Sequence, residues 1–296
     1  VPQEIEAIAF QNQVVVYDIL FRAASETLRK IAADPKHLGA EIGFFGVLHT
    51  WGSRLLHHQY VHFLVPGGGI APDGQSWIAD RPRFFLPVKV LSRMFRGLFL
   101  YYLQKAFAAG ELNFFNSYRH LHEPAALRRY LTPVHSAKWV VYAKRPFAGP
   151  AQVLDYVGRY THRVAISNNR LVFMDNGKVS FRWKDYRDGD RQKTMALDGE
   201  EFIRRFLIHV LPDGFHRIRY YGFLANCHRE RKLSLCRELL GMAPAARPEP
   251  PADYRDRFEA LTGQSLRQCP HCYVGTMVVI DRISRPTICQ PVPDTS

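Results

Sequence analysis

The sequence contains no run of about 18 apolar residues, so it offers no helix able to cross a membrane and predicts no membrane partner. It also lacks a basic n-region followed by an apolar h-region. Without that secretion signal the expected location is cytoplasmic. Cysteine is scarce and odd in number, five in 296 residues, which excludes a secreted disulfide framework and fits a reducing compartment. Acidic residues are outnumbered, 27 Asp and Glu against 40 Lys and Arg. No internal repeat is present. The triple glycine Gly67-Gly68-Gly69 lacks the Lys-Ser/Thr of a phosphate-binding loop and reads as a turn.

What is present is a chain with 47% hydrophobic residues, ample for a large core. Its formal charge of +13 attracts polyanions, which makes nucleic acid the leading partner class, ahead of a basic enzyme with no such partner.

Residues 4–33 carry helical spacing through Ile5, Ile8, Val15, Ile19, Leu20, Ala23, Leu28 and Ile31, ended by Asp34-Pro35. Two strand-like runs follow, 42–49 and 60–66, suited to an antiparallel hairpin. Helices are expected over 88–110, 125–131, 150–163 and 200–211, with Pro150 suited to a first turn. Strands are expected over 139–143, 170–174, 178–184, 193–197 and 217–224, and Asn176-Gly177 marks a hairpin. Interspersed helices and hairpins predict an α+β fold on a single antiparallel sheet spanning 42–225. The expected organisation is a helical segment over 1–40, the main domain over 41–240, a Pro-rich linker over 241–260 and a small Cys-containing tail over 261–296.

Four constellations carry chemistry. In the stretch HHQYVHFLVPGGG, strand alternation puts His58, Tyr60 and His62 on one face. Imidazole is a common ligand for divalent metals, but His58 and His62 lie roughly 13 Å apart along a strand, long for one ion. His49, closing the preceding strand, is placed by a hairpin near either of them. In DYVGRYTHR, Tyr156 and Tyr160 share a helix face flanked by Arg159 and Arg163. A phenol there can attack a phosphodiester, although tyrosines at helical spacing also serve simple packing.

From Arg159 to Lys193, nine Arg or Lys stand against four Asp or Glu and interleave with Phe181, Trp183 and Tyr186. Arg182, Trp183 and Lys184 are accordingly candidates for phosphate contact and base stacking, with a solvated sheet edge as the rival explanation. Cys269-Pro-His-Cys272 has the form of half a zinc knuckle, and Cys289 is a third candidate ligand for Zn²⁺.

In order along the chain, QNQVVVYDILFRAASETL, GVLHTWGSRLLHHQYVHFLVPGGG, RPRFFLPVKVLSRMFRG, WVVYAKRPFAGPAQVLDYVGRYTHRVAISN, FRWKDYRDGDRQKTMAL and EEFIRRFLIHVLPDGFHRIRYYGFLAN resemble the rolling-circle insertion-sequence transposases of the HUH class. The resemblance covers nearly all of residues 10–240. It implies an α+β fold with a central antiparallel sheet and flanking helices, acting on single-stranded DNA and hairpin DNA ends. It further implies a histidine pair holding Mg²⁺ or Mn²⁺ and a helix tyrosine that forms a 5′-phosphotyrosine. By position Tyr156 is the nucleophile, Tyr160 the second candidate, and His62 the second histidine of the pair. The resemblance implies no particular oligomeric state.

Two departures stand out. The family's strand reads His-Pro-His-Val-His where this chain has His58-Gln59-Tyr60-Val61-His62, so Tyr60 stands at the first ligand position. Relatives also carry an N-terminal zinc-binding segment, and this sequence begins after that point. The expectation is therefore a single-strand DNA nickase whose metal is held by His62 with His49 or His58. Its rival is a truncated, decayed copy that keeps DNA binding without cleavage. A tyrosine recombinase, suggested by the string His216-Arg217-Ile218-Arg219, fits the strand-rich pattern poorly.

Overall fold

The structure, a computed structural model, describes residues 1–81, 85–144, 146–147, 149–161, 165–186, 188–243, 253–278 and 280, with the side chains of residues 150 and 159–161 outside that set. The chain divides into two compact units, Val1–Ala243 and Pro244–Ser296.

In the first unit the predicted N-terminal helical region is two helices, α1 (Gln3–Gln11) and α2 (Gln13–Ala33). Asn12 makes the break. Its side-chain amide donates to the carbonyls of Ile8 at 3.0 Å and Asn113 at 2.8 Å, while its side-chain oxygen accepts from the Asn113 N–H at 2.7 Å. The bonds to Asn113 are long-range, and helical spacing carries no trace of them. Helix α2 packs on α3 (Val88–Ala108), burying Tyr17, Leu20, Phe21, Phe99 and Leu103 with Ile5 and Ile8 of α1. Each such side chain contributes about 1.5–3 kcal/mol to the core. Helix α4 (Pro124–Ser136) adds Leu127, Leu131 and Val134 to the same cluster.

The strand expected over 139–143 is absent, and those residues carry no regular structure. Trp139 is instead a plug in the helical core. Its indole N–H donates to the Val134 carbonyl at 3.1 Å, and its ring lies 5.3 Å from that of Phe95 and 5.1 Å from that of Phe99. An apolar run that looks strand-like was recruited by aromatic packing.

Among the described residues, the single sheet expected over 42–225 is three antiparallel sheets. The first has β1 (Phe44–Trp51) at its centre, between β2 (His57–Leu64) and a later strand, Ile218–Tyr221. Gly68–Ile70 and Trp77–Ala79 form a small ribbon, β3 and β4. After α5 (Pro150–Thr161), a third sheet is built from β5 (Leu171–Asp175), β6 (Lys178–Asp185) and β7 (Arg191–Asp198). Its β5–β6 turn has Asn176 at φ 49° and Gly177 at φ 74°, the paired positive values that a tight hairpin requires. The sheets stay separate because β5–β7 pair locally, while the first sheet takes its third strand from far along the chain.

Helix α6 (Gly199–Leu207) follows β7, and Ile218–Tyr221, here β8, then pairs with β1 from Phe44↔Tyr221 to Val47↔Ile218. Aromatic pairs support that register across all three strands: Phe44 meets Phe63 edge to face at 5.2 Å and stacks on Tyr221 at 5.1 Å. Helix α7 (Arg229–Leu239) ends the unit's regular structure.

The second unit contains α8 (Tyr254–Thr262), capped by the Asp253 side chain and closed by Gly263 in the left-handed region. Beyond it Cys269–Gly275 forms a tight loop. The Cys269 N–H donates to the Gly275 carbonyl at 2.7 Å, and the Gly275 N–H donates to the Cys272 sulfur at 3.3 Å. Among the described residues, no helix is long and apolar enough to cross a membrane.

Candidate active site

The β1–β2 register sets His49 opposite Tyr60 and Val47 opposite His62. Side chains from neighbouring strands therefore converge on one face. The His49 and Tyr60 rings stack 4.7 Å apart at 15°, while His62 lies 5.6 Å from His49 and 4.9 Å from Tyr60. Helix α5 lies against this face and presents Tyr156, whose hydroxyl is 2.8 Å from Nδ1 of His62. The Lys144 ammonium sits 5.3 Å from the centre of the Tyr156 ring, and Phe147 packs on that ring at 5.2 Å.

Burial sets the charge of the pair. It pushes the His49 imidazole down to about 3, reinforced by His62 beside it, and the His62 imidazole to about 4, reinforced by Lys144. Both rings are neutral near pH 7, the form in which imidazole binds metal or accepts a proton.

The opposite face of β2 holds a second buried polar group. The hydroxyl of Tyr17 is 2.8 Å from Nε2 of His57, and Nδ1 of His209 lies 3.3 Å from the Thr50 hydroxyl. Desolvation lowers both imidazoles, His57 and His209, to about 4.

The third sheet builds the other wall of a cleft of about 550 Å³. His49, Trp51, Gly52, Ser53 and Tyr60 line one side, and Asn169, Arg170, Arg182, Trp183, Lys184, Tyr186 and Gln192 the other. Two contacts tie the walls together. The Arg170 guanidinium donates to the carbonyls of Ser53 and, at 2.8 Å, Arg182, and the Ser53 hydroxyl donates to the Lys184 carbonyl at 2.7 Å. The histidine strand and the basic hairpin, separate in the sequence, thus meet around one space.

Of the residues singled out from the sequence, His49, His62 and Tyr156 come together, and Arg182, Trp183 and Lys184 line the adjoining cleft. His58 turns outward to pair with the Glu6 carboxylate on α1. Tyr160 and Arg159 belong to α5, but their side chains, like Arg163 and Cys289 altogether, fall outside the described residues. Cys269 and Cys272 lie in the second unit. Sequence reasoning missed Lys144, Phe147, Trp51 and Arg170. These are loop or strand-end residues with no periodic signal, placed here only by tertiary packing.

The family described as "Putative transposase" matches residues 43–232, an interval that takes in this whole constellation. The chain belongs to that family. The transposase chain is 66% identical over 282 residues to "Putative transposase y4qJ" of Sinorhizobium fredii (strain NBRC 101917 / NGR234), covering 95% of itself and 71% of that protein. It is 28% identical over 272 residues to the "Transposase for insertion sequence element IS801" of Pseudomonas savastanoi pv. phaseolicola, covering 92% of itself and 63% of that protein. It spans roughly two thirds of the length of these curated relatives. No solved structure matches the transposase chain.

Proposed function

We propose that this transposase nicks and rejoins single-stranded DNA, including hairpin ends, with Tyr156 as nucleophile. The observation that carries the reading is the 2.8 Å contact between the Tyr156 hydroxyl and His62 Nδ1. At that distance Nδ1 of His62 holds the phenol oxygen in place, leaving the other ring nitrogen for a metal, while the phenolic proton passes to water as the phenol oxygen bonds to phosphorus. The bond from phosphorus to the 3′-oxygen breaks, and that oxygen leaves with a proton from water as a 3′-hydroxyl. A 5′-phosphotyrosine remains, and an incoming 3′-hydroxyl reverses the step to join a new strand. Lys144, beside the Tyr156 ring, offsets the charge gathering on the phosphate and phenolate.

His49 and His62 fit Mg²⁺ or Mn²⁺ as a partial donor set, being neutral, adjacent and on one face. Among the described residues no group of three or more His, Cys, Asp or Glu gathers as a closed metal centre. DNA phosphate and water would complete the coordination. When bound, the ion polarises the scissile phosphate. The test incubates the full chain with 3′-labelled single strands and hairpins spanning the ends of its element, with Mn²⁺ or with chelator. A labelled covalent protein adduct that needs Mn²⁺ is expected; strand binding without any adduct would leave only a DNA-binding protein.

One observation favours that second reading. Tyr60 stacks on His49 and abuts His62, at the position where the family's strand carries a ligand. Restoring the histidine with Tyr60→His is expected to raise Mn²⁺-dependent adduct by ~10-fold or more, the scale on which a site's affinity responds to its coordination. A folded variant with no rise shows that Tyr60 does not limit the metal.

For the second unit we propose a Zn²⁺ site using Cys269 and Cys272, with Cys289 as a further ligand. Backbone N–H groups of Val274 and Gly275 hold the Cys272 thiol below its usual range, favouring the thiolate that binds zinc. Metal analysis of the purified chain is expected to find one Zn²⁺ per molecule, absent from Cys269→Ser. Equal zinc in both would remove these cysteines from the site.

A further inference from the structure

We propose that the cleft between the first and third sheets is a base-reading subsite, which takes one unpaired nucleobase of the strand being processed. This deepens the cleavage reading, since it assigns the nucleotide beside the scissile phosphate to a defined place. The volume of about 550 Å³ lies in the range of small-molecule sites, ~300–1,000 Å³, and suits a nucleotide rather than a duplex. Its walls carry aromatic rings on both sides, Trp51 and Tyr60 facing Trp183 and Tyr186.

Cations surround those rings. Arg54 lies 5.5 Å and Lys193 6.0 Å from the Trp183 centre, and Lys184 lies 5.4 Å from that of Tyr186. Lys184 is ion-paired with Asp190, and Lys193 with Asp185 and Asp188, exposed pairs that a strand's phosphates would displace. Aromatic faces for a base with cations beside them are what an unpaired strand needs. Asn169 and Gln192 line the same space, and an amide side chain can both donate to and accept from a base edge.

The subsite is preformed. Arg170 bonds to a carbonyl on each wall, so the width of the cleft is set before any strand arrives. It also lies one ring from the chemistry. Tyr60 lines the cleft and its ring is 4.9 Å from that of His62, which contacts the Tyr156 hydroxyl. A base held here places its own phosphate toward that hydroxyl.

The test is binding of the full chain to fluorescent dT12, to a 12-mer of abasic residues and to a 12-base-pair duplex, all in EDTA so that no cleavage enters. Base stacking of ~1–3 kcal/mol predicts a preference of ~5- to 150-fold for dT12 over the abasic strand. Trp183→Ala and the rim variant Tyr186→Ala are expected to shrink that gap at least threefold, and Trp183→Phe to keep most of it. Gln192→Ala is expected to keep the gap while flattening the differences among dA12, dC12 and dT12.

The proposal is overturned if abasic strand or duplex binds as tightly as dT12, or if Tyr186→Ala and folded Trp183→Ala leave the gap intact. Unchanged base preferences in Gln192→Ala would remove the edge-reading role. Neither readout involves Tyr156, so a chain that forms no adduct yet shows the gap refutes cleavage and leaves the subsite standing.

Discussion

Tyr156→Phe is expected to abolish the covalent DNA adduct, a loss of at least about 10³-fold, because phenylalanine has no oxygen to bond to phosphorus. Beyond that oxygen it removes a hydrogen bond, the 2.8 Å contact to His62. The ring still packs on Phe147 and beside Lys144, so folding and strand binding in EDTA should stay within about twofold of the parent. That contrast separates a chemical role from a structural one. The measurement is the 3′-labelled adduct on a denaturing gel, with circular dichroism and strand affinity determined on the same preparation. An adduct of undiminished yield would move the nucleophile elsewhere, with Tyr160 of the same helix the first place to look.

Gly222→Ala is expected to destabilise the first unit by more than about 3 kcal/mol, seen as a large drop in the urea midpoint. Gly222 follows β8 with φ 58°, a region that L-residues seldom adopt. A Cβ built there would lie 1.8 Å from the Ile42 carbonyl oxygen and 2.9 Å from its carbon. Both obstacles are backbone atoms at the foot of β1, so relief requires β8 to move away from the sheet. Gly241 is the control, since its φ of 63° is similar but its Cβ would meet nothing within 4 Å. Gly241→Ala should cost about 1 kcal/mol, the conformational part alone. Equal midpoints for the two variants would mean that the close approach at Ile42 is not felt.

The local parts of this fold were legible in the sequence. Helical spacing marked α2, α3 and α5, and Asn176-Gly177 marked the β5–β6 hairpin, because each element is decided by residues near one another. What depended on distant partners was not legible. The break at Asn12 rests on bonds to Asn113, and the irregular course of 139–143 rests on Trp139 entering a helical core. Division into three sheets was hidden because β-strand character names no partner.

At the candidate site, strand alternation gave the shared face of Tyr60 and His62, but it could not say whether His49 would align with Tyr60 or a residue to either side. A one-residue slip would have turned His49 to the other face. The cleft was illegible for a related reason. Its two walls come from sheets with no mutual pairing, joined by Arg170, an arginine that nothing in its neighbourhood distinguishes from those around it.

The order in which the chain is made adds a constraint of its own. β1 is flanked by β2 almost as soon as both are synthesised, but its other edge is covered only by Ile218–Tyr221. Until the ribosome has passed those residues, the nascent protein holds its histidines on a two-stranded ribbon in which the second edge of β1 is bare, too few strands to be stable alone. A product stopped short of residue 218 would be left in that condition, with an unpaired strand edge that invites association with other chains rather than with DNA.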